Sequence, residues 1–343
     1  MLLVIDSILS DLHMTYTQDT VIWIAFYSAV IGSSLVGSIL SSKISRLNFL
    51  CFWMILGAVS SSLPALFSSF TVTHALPISV LLGTSFGLGL PSCLAYFADC
   101  SSIENRGRIS GMIFLVTNLS APLFVISFSM FNFKAISLIF AIWRTFGLVV
   151  FLLRPKEKMV SEIKRKNSFV SVFHNKSFAI YFTVWLMFNF IESFERPILD
   201  YIFEDFHYVL IAPVIGSVFT LIAGILCDRI GRKRVVLYGF VTMGLAYAII
   251  GIARNTYYEL FSWYFFLTTE SISWGIFFVT FILVLWGDLS ESGNREKYYV
   301  IGAVTPYFLS DIVRMLSTPY VALIPKTSAF SVASFFLFLA VLP

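Results

Sequence analysis

Apolar runs of about twenty residues, separated by short polar breaks, follow one another along the chain. They fall at about 20–40, 48–70, 76–97, 109–131, 135–153, 178–203, 208–227, 234–252, 260–286, 298–322 and 327–343. A helix of roughly 20 apolar residues spans the hydrocarbon core of a bilayer and satisfies its own backbone polar groups there. The pattern therefore predicts eleven membrane-spanning helices. A further apolar segment, residues 2–12, is too short to cross and counts as a partial span. Met1 to Leu12 lacks a basic leading region and contains Asp6 and Asp11, so no cleavable signal is expected.

Composition agrees. The chain is 58% hydrophobic and 12% charged over 343 residues, where a soluble domain carries about a quarter charged residues. Water is excluded as the solvent for most of this surface. The net charge of +4 is unevenly placed. Setting the breaks at 41–47, 98–108, 154–177, 228–234 and 287–297 on one side gathers 17 of the 23 Lys and Arg there. By the positive-inside rule that side is cytoplasmic. A multi-pass protein of the plasma membrane, acting as a monomer, is expected. The break at 154–177 is the longest and most basic, and reads as a cytoplasmic linker between a helical half at 1–153 and another at 178–343.

The basic residues form no stripe with interleaved aromatics, so nucleic-acid binding is not expected. The four cysteines form no CxxC pair and read as reduced thiols. His13, His74, His174 and His207 have no metal-site spacing, and no metal or cofactor is expected. No nucleophile–base constellation suggests an enzyme, and no phosphate-binding glycine loop suggests ATP-driven transport.

The chain repeats itself. Ile5-Asp6-Ser7 recurs as Ile191-Glu192-Ser193, 186 residues later. The stretch Ser38 to Arg46 is shadowed by Gly224 to Arg232 at the same offset. Asp99, Ser101, Asn105, Arg106 and Arg108 recur as Asp288, Ser290, Asn294, Arg295 and Lys297, at an offset of 189. Three matches in one order indicate parallel repeats, each ideally of six helices. The short first segment then aligns with the second half of the span at 178–203, so the first helix is expected to be incomplete.

Two six-helix repeats, a basic central loop and the motif GxxxDRxGRKR between two spans resemble the major facilitator superfamily. That motif is Gly224, Asp228, Arg229, Gly231, Arg232, Lys233 and Arg234. The resemblance implies an all-α, twelve-helix fold and transport by alternating access, two bundles rocking about a midplane site. It also implies a cytoplasmic latch. Gly224 lets a neighbouring helix approach, Gly231 permits the tight turn, and Asp228 reaches a helix N-terminus, where unsatisfied N–H groups and the dipole attract an anion. The family places that N-terminus on the span that starts here near Lys297. Arg232, Lys233 and Arg234 are expected to hold the loop at anionic lipid. A topology signal alone would need neither Gly224 nor Asp228 nor Gly231. The first copy has Ser42 for the Asp and Ser45 for the Gly, so the latch is expected to act mainly through the second half. The chain also lacks the family's proton-coupling arginine in the span at 76–97. It offers only Ser120-Ala121-Pro122 where drug antiporters are glycine-rich.

Ionisable groups inside spans are functional candidates by default. Asp6 and Glu192 occupy equivalent repeat positions. A buried carboxyl costs least when protonated and can therefore carry a proton. Glu270 is a third candidate, with no basic residue within a turn. Asp311 and Arg314 share a face and either neutralise each other or bind substrate. Arg144 either faces the cavity or snorkels to the interface. Glu195 and Arg196 read as a local pair or as near-surface residues, and Pro197 as a helix break. The leading expectation is a proton-coupled secondary transporter of a small organic solute, with more acids than bases favouring a neutral or cationic substrate and efflux. The alternatives are uptake of a sugar or other metabolite, and a non-transporting receptor or decayed paralogue.

Overall fold

The computed structural model describes residues 14–67, 71–128, 130–153, 169–202, 206–253, 259–291, 293–321 and 326–341, with Ile5, Leu9 and Leu12. Asp6 and most of the basic linker, residues 154–168, lie outside the described residues. Every regular element among the described residues is helical. They are α1 (Tyr16–Leu40), α2 (Arg46–Ser62), α3 (Val72–Gly87), α4 (Leu90–Cys100), α5 (Arg106–Phe128), α6 (Phe133–Leu152) and α7 (Lys176–Ile202). After them come α8 (Phe206–Ile230), α9 (Arg232–Ala253), α10 (Glu259–Phe277), α11 (Leu285–Leu289), α12 (Arg295–Tyr299), α13 (Thr305–Val321) and α14 (Lys326–Leu339). A π-helical segment, Phe278–Val284, joins α10 to α11, and another, Val300–Val304, joins α12 to α13.

Ten of the described helical stretches are long and apolar enough to cross a membrane, and they coincide with the first ten apolar runs of the sequence. The eleventh run appears as the shorter apolar helix Ala329–Leu339 within α14. Local chemistry sets the ends. Thr15 and Gln18 form a reciprocal capping box at the start of α1. The Asn132 side chain accepts from the Ala135 N–H at 3.0 Å and starts α6. Gly231, at φ +94°, makes the turn from α8 to α9, a conformation that costs glycine nothing. Pro197 does not break its helix, contrary to the sequence reading: α7 continues through it to Ile202. Hydroxyls of Ser33, Ser34 and Ser38 bond to carbonyls one turn back, which lets a polar side chain sit in an apolar span.

Two compact units emerge. The first combines residues 1–97, 126–171 and 290–315. In it α1 packs along α3, and α2 along α6. The α1–α3 approach rests on glycine: a Cβ at Gly83 would lie 2.5 Å from the Phe26 carbonyl oxygen. The α3–α4 boundary falls at Leu88-Gly89, and Trp53 Nε1 donates to the Ser85 carbonyl at 2.7 Å. The second unit combines 98–125, 172–289 and 316–343. There α9 packs against both α10 and α14, and α8 against α10. Trp185 stacks on Phe281 (4.7 Å, 9°), while Phe188 meets Phe277 (4.6 Å) and Phe277 meets Phe240 (4.7 Å), joining α7, α9 and α10 in one aromatic core. Segments 98–125 and 290–315 each pack with the unit built mainly from the other part of the chain. Shifted by the repeat offset of 189, the first lands within three residues of the second.

Gly83→Leu is expected to destabilise the first unit by about 1–3 kcal/mol through overpacking. An unchanged melting curve of the purified variant would contradict the close α1–α3 contact.

Candidate functional site

The α8–α9 turn is built around one carboxylate. The first N–H groups of α5 have no partner within their own helix. Asn105, just before α5, directs its side chain to the Ser102 N–H instead (3.1 Å). Asp228, at the end of α8, fills the gap from outside. Its Oδ1 accepts from the Gly107 N–H at 3.0 Å and its Oδ2 from the Arg108 N–H at 2.9 Å. Arg108 Nε at 3.5 Å and Arg232 Nη2 at 3.7 Å add positive charge, and the Asp228 side chain is only 5% exposed. Anion, helix dipole and amide donors reinforce one another. The approach needs Gly107 and Gly224 face to face: a Cβ on Gly107 would lie 2.5 Å from both Asp228 Oδ1 and the Gly224 carbonyl oxygen.

This corrects the partner expected for Asp228, which is the N-terminus of α5, not the span near Lys297. The reason is packing. The glycine pair brings α8 onto α5, and Thr220 Oγ1 meets the Gly111 carbonyl at 3.3 Å one turn further along. Arg232 is also not turned to lipid. It donates to Asp288 Oδ2 at 2.8 Å, to the Cys227 carbonyl at 3.0 Å and to the Ile103 carbonyl. Arg106, 2% exposed, bonds the other Asp288 oxygen and donates to the carbonyls of Ala98 (2.6 Å) and Ser101 (3.0 Å). Asp288 is thus held between two arginines. Lys233 and Arg234 are exposed, as is Asp99. Arg229, next to Asp228, lies in the last turn of α8.

The related loop in the first unit is wired differently. Ser42, at the position of Asp228, donates its hydroxyl to the Ile39 carbonyl one turn back (2.6 Å). Instead Arg46 pairs with Glu296, with Nε and Nη2 at 2.8 and 2.6 Å from one oxygen, and both side chains are close to 10% exposed. Glu296 stands at the repeat position of Gly107, 189 residues on. One copy has its acid on the turn and glycine on the facing helix; the other has serine on the turn and the acid on the facing helix. Arg295 follows Asn294 at the start of α12, and Lys297 lies over the Phe169 ring at 5.7 Å.

A second polar cluster lies deep in the spans of the second unit. Arg196 Nη1 is 3.1 Å from Glu192 Oε1, one turn away on α7, and 3.9 Å from Glu270 Oε1 on α10. Glu192 and Glu270 are 7% and 3% exposed. Glu270 therefore has a basic neighbour in space that its own helix does not supply. Glu195 is 2% exposed and faces the Tyr247 hydroxyl of α9. The sequence reading of Glu195 as a local pair or surface residue is corrected: Glu192 takes the arginine, and Glu195 points inward. Counting along the helices from Lys176, Arg232 and Leu289, Glu192, Tyr247 and Glu270 lie about 22–28 Å in. Three acids and one arginine at a common depth can bind a cation or exchange protons.

The remaining candidates lie in the first unit. Asp311 and Arg314 pair at 3.0 Å on α13, about a quarter exposed, with Tyr27 and Tyr307 beside them. Arg144 packs against α2 where Gly57 leaves room, since a Cβ at Gly57 would overlap its guanidinium. No group of three or more metal-ligating side chains occurs among the described residues.

The profile of the Major Facilitator Superfamily matches residues 1–305. The search of curated protein sequences returned no match. Solved structures share the fold. The human organic anion transporter MFSD10 (TETRAN) is 16% identical, with a TM-score of 0.72, covering 94% of this chain and 82% of its own. The proton:xylose symporter XylE, bound to 6-bromo-6-deoxy-D-glucose, is 15% identical, with a TM-score of 0.67, covering 96% and 86%.

Arg106→Met should cost about 3–5 kcal/mol, because it strips a buried charge partner from Asp288. Arg108→Ala, removing an exposed side chain, should cost less than about 1 kcal/mol. Equal losses in thermal melts of the two variants would count against this network.

Proposed function

Because the chain belongs to the major facilitator superfamily, a family of multi-pass membrane transporters, we propose that it moves a small organic solute by proton-coupled alternating access. The observation that carries the proposal is the Glu192–Arg196–Glu270 cluster with Tyr247 at one depth of the spans. Charges there are expensive unless paired, and an arginine shared between two carboxylates can exchange partners when one of them takes a proton. Protonation of Glu270 would leave Arg196 to Glu192, while loss of that proton would restore the shared pair. Solute binding that competes for the arginine or the carboxylates then couples to proton binding. The excess of acid favours a neutral or cationic solute and efflux. The fold likeness to a proton:xylose symporter is compatible with proton coupling.

The Asp228 turn supplies the gate in this reading. Its bonds to the α5 N-terminus exist only while α8 and α5 are together at their cytoplasmic ends. Opening there must break two charge-assisted bonds, each worth about 1.5–3 kcal/mol. Such a bias holds the inner side shut without making opening prohibitive. The Arg46–Glu296 pair plays the matching part in the first unit, so both copies contribute, by different chemistry.

The test is flux into proteoliposomes under an imposed pH gradient, screened across neutral and cationic solutes. Gradient-driven flux is expected, falling at least about tenfold in Glu270→Gln, while solute counterflow persists because that exchange needs no net proton movement. Loss of both, or of neither, would contradict the role of Glu270. Asp228→Asn is expected to insert normally and transport poorly; wild-type transport in that variant would remove the gate.

A further inference from the structure

Arg144 is a charged span residue that the transport reading leaves unused. It sits on α6, about 12 Å from Leu152 at one end and about 16 Å from Phe133 at the other. Its head reaches neither end. The guanidinium lies over Gly57 of α2, in the space a Cβ there would take, and Gly57 is itself about 16 Å along α2 from Arg46. Charges elsewhere in the described spans are paired, Glu192 and Glu270 with Arg196 and Asp311 with Arg314. Among the described residues, no acid, carbonyl or hydroxyl bonds to Arg144, and no carboxylate acts on it from further away. The helix that carries it is the least covered of the described spans, with 11% of its window buried. Ile142, Trp143 and Phe146 are 60–69% exposed. Gly147, one turn along from Arg144, is exposed, and a Cβ there would meet nothing within 4 Å. The half-buried guanidinium thus stands beside an open notch on the outer face of α2 and α6.

An arginine without a counter-ion is costly in hydrocarbon. Depth decides which anion offsets that cost. A phospholipid phosphate is tied to its headgroup at the bilayer edge. A carboxylic acid with an apolar chain enters the hydrocarbon as the neutral acid, because burial disfavours its charged form, and ionises beside a cation. The guanidinium fork matches a carboxylate with two parallel N–H···O bonds. A second copy of the chain packed symmetrically across the notch would bring two arginines together. We propose that the notch between α2 and α6 binds a long-chain carboxylic acid from within the membrane. It binds as the carboxylate on Arg144, with its proton passing to the aqueous phase and its chain along the exposed face of α6. The site is separate from the Glu192–Arg196–Glu270 cluster and does not rest on the transport reading.

The test is photolabelling of the full chain in phosphatidylcholine nanodiscs at alkaline pH. The probes are palmitic acid bearing a diazirine on its chain and the matching diazirine alcohol, with labelled peptides located by mass spectrometry. The acid is expected to label the peptides holding Gly57 and Arg144 at least about tenfold more than the alcohol does, as charge-assisted hydrogen bonds imply. Arg144→Gln should bring the acid down to the level of the alcohol, while Arg144→Lys, which keeps the charge without the fork, should retain part of the difference. Gly147→Trp, placed in open space, should block the acid with Arg144 still present. Equal labelling by acid and alcohol in the wild type would overturn the proposal. So would a preference for the acid that survives Arg144→Gln, or one unaffected by Gly147→Trp. Acid labelling should persist when phosphatidylglycerol replaces part of the lipid; its loss would give the notch to a lipid headgroup instead. A dimer of the chain across this face, seen by native mass spectrometry, would give it to a second copy and equally overturn the proposal. None of these readouts uses a pH gradient, so this proposal and the transport reading fail separately.

Discussion

A carboxylate at the open end of a neighbouring helix is the contact on which the α8–α9 end of the second unit depends. Burying Asp228 to 5% exposure is unfavourable in isolation. Two amide donors, the dipole of α5 and the nearby Arg108 and Arg232 offset that cost. None of this is reachable unless both facing residues are glycine, because a side chain on Gly107 would occupy the space of the carboxylate itself. Arg232 then extends the network to Asp288, and Asp288 to Arg106. Three helical segments that are far apart in sequence are tied together through five charged side chains.

The same logic explains why the two repeats are unlike. Moving the acid from the turn to the facing helix exchanges a carboxylate–amide contact for the Arg46–Glu296 ion pair. Both solutions keep a strong polar contact in a nearly dry setting. They differ in what must break: backbone hydrogen bonds on one side, a side-chain pair on the other. Deeper in the spans, the acids of α7 and α10 divide by partner. Glu192 and Glu270 share Arg196, whereas Glu195 faces the Tyr247 hydroxyl of α9.

The spans were legible in the sequence because lipid demands a continuous apolar length. The repeat was legible because glycines and charges at turns keep their spacing. The helix that Asp228 caps was not, since a helix N-terminus is available on several spans and only tertiary contact selects one. A signal did exist in the repeat alignment: glycine at 107 faces the acid at 228, while Glu296 replaces that glycine where Ser42 replaces the acid. Glu195 was misplaced for a related reason. On a helix with apolar residues on every side, sequence does not say which face turns inward, and the i, i+4 pair Glu192–Arg196 competes with the neighbouring Glu195–Arg196. Pro197 was read as a break because of its missing N–H, yet it lies within the last two turns of α7, where the helix simply continues.

The central claim is that Asp228 caps α5 from outside. It is tested most directly by amide hydrogen exchange of the segment holding Gly107 and Arg108, in wild type and in Asp228→Ala. The account predicts slow exchange at these two amides in wild type. It predicts acceleration of about tenfold or more in the variant, with the amides further along α5 unchanged. Equal exchange in the two proteins would contradict it.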